Sequence, residues 1–230
     1  MDCVYVCREG ENEELRYSIR SVCTNLKFDN IWVIGSKPSW YSGNFIEVKD
    51  TSNKFENIKQ CLIKVCENPN ISDDFIFMHD DIFILKYLDD VPKLNNGNLS
   101  DKISNYQILQ GRSKYVVMLK KTEQALHKLK IKDPVDYEMH IPVVFNKQKL
   151  LPILGMDGLE RSLYGNIHGI DSIFSKDVKF YKNAKMLERS ISIGDSDYFI
   201  STEDKSFLIL LKEKLGKMFS EPTIYELDLP

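Results

Sequence analysis

Residues 75–85 constrain the fold of this chain more than any other stretch. Phe75-Ile76-Phe77-Met78 and Ile82-Phe83-Ile84-Leu85 are two apolar, strand-like runs, and His79-Asp80-Asp81 stands between them. Adjacent carboxylates repel each other, and burying them without a partner is expensive. The triplet is therefore expected at the end of a buried strand, where a cation removes the repulsion and bridges to phosphate oxygens; Mg²⁺ typically uses one or two carboxylates in this way. The bland alternative is a solvated turn. Asp73-Asp74 and Asp89-Asp90 show how ordinary the dipeptide is in this chain, but neither has apolar sequence on both sides.

Upstream, strand and helix patterns alternate. Residues 2–7 read as a buried strand. From Glu13 to Leu26, Leu15, Ile19, Val22, Cys23 and Leu26 recur three and four apart, the mark of an amphipathic helix. Asn12 is its expected cap, with Glu13 and Glu14 favouring the positive helix start. Ile31–Ile34 is a second strand ended by Gly35, and Phe45–Val48 a third. Phe55–Glu67 is a second helix, carrying Phe55, Ile58, Leu62 and Val65 inward and stopped by Asn68-Pro69. This order predicts an α/β fold with a mostly parallel central sheet flanked by helices. Ligands on such sheets bind outside the carboxyl ends of the strands, and His79-Asp80-Asp81 lies at one.

The second half is less regular. Residues 86–111, with Pro92, Gly97 and several Asn, read as a long surface connection. Residues 120–131 look helical and Tyr137–Phe145 extended. Lys147–Leu154 and Gly158–Tyr164 read as short helices and Phe199–Thr202 as a late strand. A closing helix is expected over Glu203–Met218, with Phe207, Leu210, Leu211 and Leu215 on one face.

Composition sets limits. At 230 residues the chain can bury one sizeable core, and 31 Lys+Arg against 34 Asp+Glu give a net charge of −3, which excludes a globally cationic nucleic-acid binder. No stretch reaches ~18 uninterrupted apolar residues, and the N-terminus lacks the basic and apolar regions of a secretory signal. Cys3, Cys7, Cys23, Cys61 and Cys66 are odd in number and lack C-x-x-C spacing, so they read as reduced core thiols of a cytoplasmic protein. No G-x-G-x-x-G, Walker loop, H-E-x-x-H or G-x-S-x-G occurs, which removes the common nucleotide-fold and hydrolase alternatives.

Several ordered blocks resemble a known group. Asn12-Glu13-Glu14-Leu15-Arg16-Tyr17-Ser18-Ile19-Arg20-Ser21 is similar to the helix start of the Stealth-type sugar-phosphate transferases and of related phage-encoded glycosyltransferases. Ile31–Gly35, Pro38-Ser39-Trp40 and Ser72–Phe83 follow in the same order as their counterparts. Stealth proteins carry Trp-Val-Asp-Gly after the first strand, where Val6-Cys7-Arg8-Glu9-Gly10 stands here, and they are typically longer. This favours the shorter phage-type enzymes, whose blocks Tyr137-Glu138-Met139-His140-Ile141-Pro142 and Arg161-Ser162-Leu163-Tyr164-Gly165-Asn166 resemble. The resemblance implies a single GT-A-like domain over residues 1–230, with a nucleotide-sugar-binding half, 1–86, and an acceptor-binding half, 87–230. It implies a metal-dependent glycosyltransferase with Mn²⁺ or Mg²⁺ and a nucleotide-diphosphate sugar, a uridine one, as donor. The implied acceptor is a hydroxymethylated pyrimidine in phage DNA. Two alternatives stay open: a sugar-phosphate transferase building polysaccharide, and a binding module without turnover.

On this reading the residues take roles. Asp81 holds the metal and Asp80 the donor. Arg16 meets the donor's phosphates or uracil, while Arg20, on the same helix face, reads as solvated. Lys54 at a helix start meets the diphosphate, and Asp50 contacts uracil or ribose or caps the helix. In an extended segment Glu138 and His140 point the same way. Glu138 is the candidate base for the acceptor proton, with His140 orienting it or binding acceptor; the alternative is a salt-bridged pair at a strand edge. His168 and Asp171, beside Gly165 and Gly169, are candidates for a later metal ligand, with an exposed turn as the alternative. His127 reads as surface. Residues 111–132 carry seven Lys/Arg and one acidic residue, a local +6 in an acidic chain. Arg112, Lys114, Lys120 and Lys121 are there the candidate contacts to a nucleic-acid backbone, with a solvated helix face as the equal alternative.

Overall fold

The computed structural model describes residues 1–180, 197–202 and 206–227. They divide into two compact units, one of residues 1–91, 140–144 and 178 onward, the other of residues 92–139 and 145–177.

The first unit follows the predicted alternation. Its strands are β1 (Asp2–Cys7), β2 (Ile31–Gly35), β3 (Asn44–Glu47), β4 (Asp74–His79) and β5 (Ile82–Ile84), and its helices α1 (Glu13–Asn25) and α2 (Lys54–Glu67). The main sheet has the order β3-β2-β1-β4 and is parallel throughout these pairs. A fifth strand beside β4, β7 (Val143–Asn146), begins in this unit. Cys3, Val4 and Tyr5 on β1, and Phe75, Phe77 and Met78 on β4, are buried, as expected of strands covered on both faces. Gly35 ends β2 at φ +117°, and a Cβ there would lie 2.2 Å from the Cys7 carbonyl oxygen, so no side chain fits.

The start of β1 is pinned by a buried carboxylate. Asp2 accepts from the Asn30 backbone N–H at 3.0 Å and side-chain amide at 2.9 Å, and from the Ser72 N–H at 2.8 Å and hydroxyl at 3.0 Å. Burial raises its pKa, but these donors outweigh burial and hold it below the ordinary carboxylate value.

A second sheet, β5-β10-β9, is built from β5, β9 (Lys179–Phe180) and β10 (Phe199–Thr202), with β10 antiparallel to β5 and parallel to β9. The free edge of β5 is met by side chains of α1. Ser18 Oγ donates to the Ile82 carbonyl, Ser21 Oγ accepts the Ile84 N–H at 3.0 Å, and Asn25 Nδ2 donates to the Ile84 carbonyl at 2.8 Å. Phe83, Ile200, Phe207, Leu211, Leu215 and Phe219 form a core cluster under this sheet. The expected closing helix is a π-helical turn at Phe207–Leu211 running into α7 (Lys212–Met218); Glu203–Lys205 and the Leu210 side chain lie outside the described residues.

The second unit departs from the sequence reading. The expected surface connection over 86–111 contains a short strand β6 (Leu94–Asn95) and a twelve-residue helix, α3 (Leu99–Gln110). Asn98 caps α3, its Oδ1 accepting the Ser100 N–H at 2.8 Å. The helix escapes its periodicity because it buries Leu99, Ile103 and a lysine, Lys102, paired with Asp136 at 2.8 Å, while Ile108 and Leu109 stay exposed. The helix expected from 120 begins six residues earlier: α4 spans Lys114–Lys128, capped by Ser113. The expected extended segment 137–145 is a strand only from Val143. Before it the chain turns, with Glu138 N–H on Asp136 Oδ1 at 2.9 Å and Met139 N–H on the Tyr137 carbonyl at 2.8 Å. No strand alternation therefore places Glu138 and His140 on one side. The short helices are found as α5 (Lys147–Leu150), a 3₁₀ turn at Ile153–Gly155, and α6 (Glu160–Ile167); β8 (Ile173–Phe174) pairs with β6.

Removing the Ser21 hydroxyl should leave the buried Ile84 N–H without an acceptor. Ser21→Ala is expected to lose about 1–3 kcal/mol of stability, seen as a lower urea midpoint at unchanged slope.

Candidate functional site

Parallel pairing sets the carboxyl ends of β1, β2 and β4 on one edge, with Cys7 opposite Gly35 and Val6 opposite His79. The turn Asp80-Asp81 joins β4 to β5 at that edge. A pocket of about 270 Å³ opens there, lined by Arg8, Glu14, Asp50, Lys54, His79, Asp80, Asp81 and Lys179 among others. The structure thus brings together Asp50, Lys54, Asp80 and Asp81 of the sequence-predicted residues.

Each acidic side chain has a positioned neighbour. Asn12 Nδ2 donates to Asp80 Oδ2, and Arg8 Nε stands 4.0 Å from the same oxygen. Asn12 also caps α1, its Oδ1 accepting the Leu15 N–H at 3.1 Å, in a left-handed conformation at φ 40° that Asn tolerates better than most residues. One side chain therefore both starts the helix and orients Asp80.

Asp81 lies deeper. Its Oδ2 is 2.6 Å from Lys179 Nζ, with both side chains only 15% exposed. Its Oδ1 is buried and receives no hydrogen bond from the described residues. Burial raises the Asp81 pKa, but Lys179 first, then His79 and His140, outweigh burial and hold the carboxyl below the ordinary range. His140 thus acts electrostatically on the site from the first unit. Thr202 donates its N–H to the Asp81 carbonyl at 3.3 Å and its hydroxyl to Glu14 at 3.3 Å.

Lys54 is the first residue of α2, where Asn53 caps the helix. Burial, then the like charge of Lys179, lowers its pKa. Two ammonium groups thus face one space, an arrangement that favours an anion between them. Asp50 accepts from the Glu9 N–H and from Asn57 Nδ2, each at 3.2 Å. Burial, then Asp80, pushes the Cys7 thiol up to about 12, so it is protonated beside the pocket. None of the five cysteines is in a disulfide.

The other predicted residues stand elsewhere. Arg16 lies over the Trp40 ring, 4.8 Å from its centroid, with Nε 3.8 Å from Glu226. Arg20, read as solvated, is only 11% exposed and grips Glu226 through Nε at 2.8 Å and Nη2 at 2.6 Å. Glu138, His168 and Asp171 belong to the second unit. Glu138 Oε1 accepts the Ser162 N–H in the first turn of α6 at 2.8 Å. Burial, then Glu160, raises its pKa to about 7 against the opposing pull of Arg161 and Lys102. His168 caps the end of α6, its Nε2 3.2 Å from the Lys149 carbonyl, and Asp171 is exposed. Arg112, Lys114, Lys120 and Lys121 are exposed on and before α4. Among the described residues no group of three or more His, Cys, Asp or Glu is arranged to hold a metal.

Sequence reasoning missed Lys179, Arg8 and Glu14 as pocket residues. Lys179 carries no motif; only the pairing of β9 with β10 brings it to Asp81. Arg8 stood in the block after the first strand, and Glu14 was legible only as a helix-start charge.

No protein-family model matches the chain, and no curated protein sequence matches it. Solved structures do. The galactosyltransferase LgtC in complex with donor and acceptor sugar analogues is similar at a TM-score of 0.54 and 12% identity, covering 100% of this chain and 98% of that one. An active-site mutant of LgtC is similar at a TM-score of 0.53 and 10% identity, with the same coverage. The fold is therefore of the GT-A class: a mixed α/β fold whose central, mostly parallel sheet is flanked by helices. No helix among the described residues is long and apolar enough to cross a membrane.

Lys179→Met should leave burial of Asp81 opposed mainly by His79 and His140. Its carboxyl pKa is expected to rise, measured by carbon-detected NMR titration; an unmoved value would show that Lys179 does not set it.

Proposed function

We propose that this chain is a glycosyltransferase that moves a sugar from a nucleotide-diphosphate sugar, a uridine one, to an acceptor hydroxyl. The observation that carries the reading is the Asp80-Asp81 turn at the carboxyl edge of a GT-A-type sheet, with Lys54 and Lys179 facing the same pocket. LgtC, of the same fold, is described with donor and acceptor sugar analogues.

The residues fit a divalent cation. The buried Asp81 Oδ1 is an acceptor with no donor among the described residues, and a hard cation is bound by such oxygens together with phosphate oxygens. Asp80 and Asp81 would hold Mn²⁺ or Mg²⁺, which supplies charge neutralisation for a leaving diphosphate. Lys54, with the N-terminal amides of α2, binds the phosphates, and Lys179 shares that charge. A second space of about 550 Å³ extends past the ends of β2 and β3, lined by Gly35, Ser36, Phe45 and Val48, and Asp50 borders both spaces. It offers room for the nucleoside, with Asp50 toward ribose or base.

Glu138 is the proposed base. A carboxyl raised to about 7 is matched to accepting a hydroxyl proton near neutral pH, and His140 is proposed to position the acceptor. The exposed cations Arg112, Lys114, Lys120 and Lys121 support a second level of this reading, a hydroxymethylated pyrimidine in DNA as acceptor, flipped out to reach the donor.

Asp81→Asn is expected to abolish donor turnover and Mn²⁺-dependent nucleotide binding with the circular dichroism spectrum unchanged; undiminished turnover would overturn the reading. Release of nucleoside monophosphate instead of diphosphate would indicate sugar-phosphate transfer. Glu138→Gln should lower turnover ~10²–10⁴-fold with donor affinity retained. Because the base works deprotonated, wild-type turnover should rise as pH passes through about 7, and this limb should vanish in Glu138→Gln.

A further inference from the structure

We propose that the hairpin of α3 and α4 is a docking element for an anionic lipid surface. The inference does not rest on the transfer reaction, since it concerns a face of the second unit and not the pocket; it gives Lys114 and Lys121 a role that competes with the DNA contact proposed above.

Two observations meet at this hairpin. The first is apolar. Ile108 and Leu109, in the last turn of α3, are 83% and 77% exposed, and Val117 on α4 is 46% exposed. Leu109 lies seven residues after the buried Lys102, so the buried face of α3 continues past the end of the core into solvent. The second is charge. Between residues 111 and 132 the only acidic residue is Glu123. Lys114, Val117, Lys121, Gln124 and Lys128 recur at three and four along α4 and are all exposed, opposite the buried row Val116, Leu119, Thr122 and Leu126. The ion pair of Lys121 with Asp157, at 3.4 Å between two exposed side chains, is too weak to withhold that lysine.

Phosphates of DNA and of lipid headgroups would both attract these cations. The aliphatic tip decides between them. A polynucleotide backbone offers nothing for Ile108 and Leu109 to enter, whereas a bilayer interface takes up large apolar side chains flanked by basic ones, with the lysine stems lying along the apolar boundary. A second copy that met this face with its own would bring the same cations to the contact and be repelled.

The test is co-sedimentation of the whole chain with vesicles of phosphatidylcholine alone or mixed equally with phosphatidylglycerol. Binding is expected to the mixed vesicles only, and to weaken with salt. Ile108→Gln with Leu109→Gln, which remove apolar surface without adding charge, should reduce partitioning about tenfold or more per residue while leaving thermal unfolding and binding to duplex DNA unchanged. Lys121→Ala and Lys128→Ala should each cost about fivefold. No binding to mixed vesicles, or binding untouched by the Ile108 and Leu109 substitutions, would overturn the proposal. Loss of DNA binding or of self-association in that double variant would do so too, and would assign the face to DNA or to a second copy.

Discussion

The acidic turn at the centre of the site depends on hydrogen bonds that run from a helix to a strand edge. Strand β5 follows Asp80-Asp81 directly and is three residues long, too short to hold its place by strand pairing alone. Among the described residues its one ladder partner is β10. On the other edge Ser18, Ser21 and Asn25 of α1, spaced three and four apart, act as the donors and acceptors that a further strand would have supplied. Ser18 also meets the Tyr5 hydroxyl of β1 at 3.1 Å, and Asn12 at the start of the same helix holds Asp80. The turn is thus fixed by β4 on one side and by α1 on the other, so the Asp81 carboxylate can be kept ionised in a buried position.

The second unit concentrates its buried charge around Glu138. Lys102 and Asp136 form an ion pair at 2.8 Å, with side chains 4% and 0% exposed, and Lys102 also donates to the Glu138 carbonyl at 2.6 Å. Such a pair is costly to desolvate and costly to break, so it fixes the geometry more than it adds stability. Glu138 has a folded pKa above its unfolded one. Its protonated form therefore contributes stability that is complete below the unfolded carboxyl value, about 4.3, and is lost as pH rises toward about 7. A carboxyl poised near neutral pH is in this sense obtained at the expense of stability at that pH.

Much of the first unit was legible because its burial is simple. Strands covered on both faces read as continuous apolar runs, and α1 and α2 keep a regular stripe. The site was legible where local sequence carries it: the Asp80-Asp81 turn, the cap Asn12 and the helix-start Lys54. It was not legible where pairing distant in sequence carries it, as with Lys179, or where a buried residue is polar. Ser18, Ser21 and Asn25 lie outside the apolar stripe by which α1 is read, and Lys102 breaks the periodicity that would have revealed α3. The fate of Arg20 has the same cause, since its partner Glu226 lies 206 residues on.

That separation bears on the order in which the molecule can close. Arg20 donates to the carbonyls of Phe219 and Ser220 as well as to Glu226, and Tyr41, packed on β2, stacks with Tyr225. The first helix and the β2–β3 edge leave a ribosome well before the residues that complete their outer surface, which are made about two hundred positions later. Until residues 219–226 are made, Arg16, Arg20 and Tyr41 lack the partners that cover them in the folded chain. The nascent chain must keep that cationic and aromatic ledge from wrong partners in the meantime.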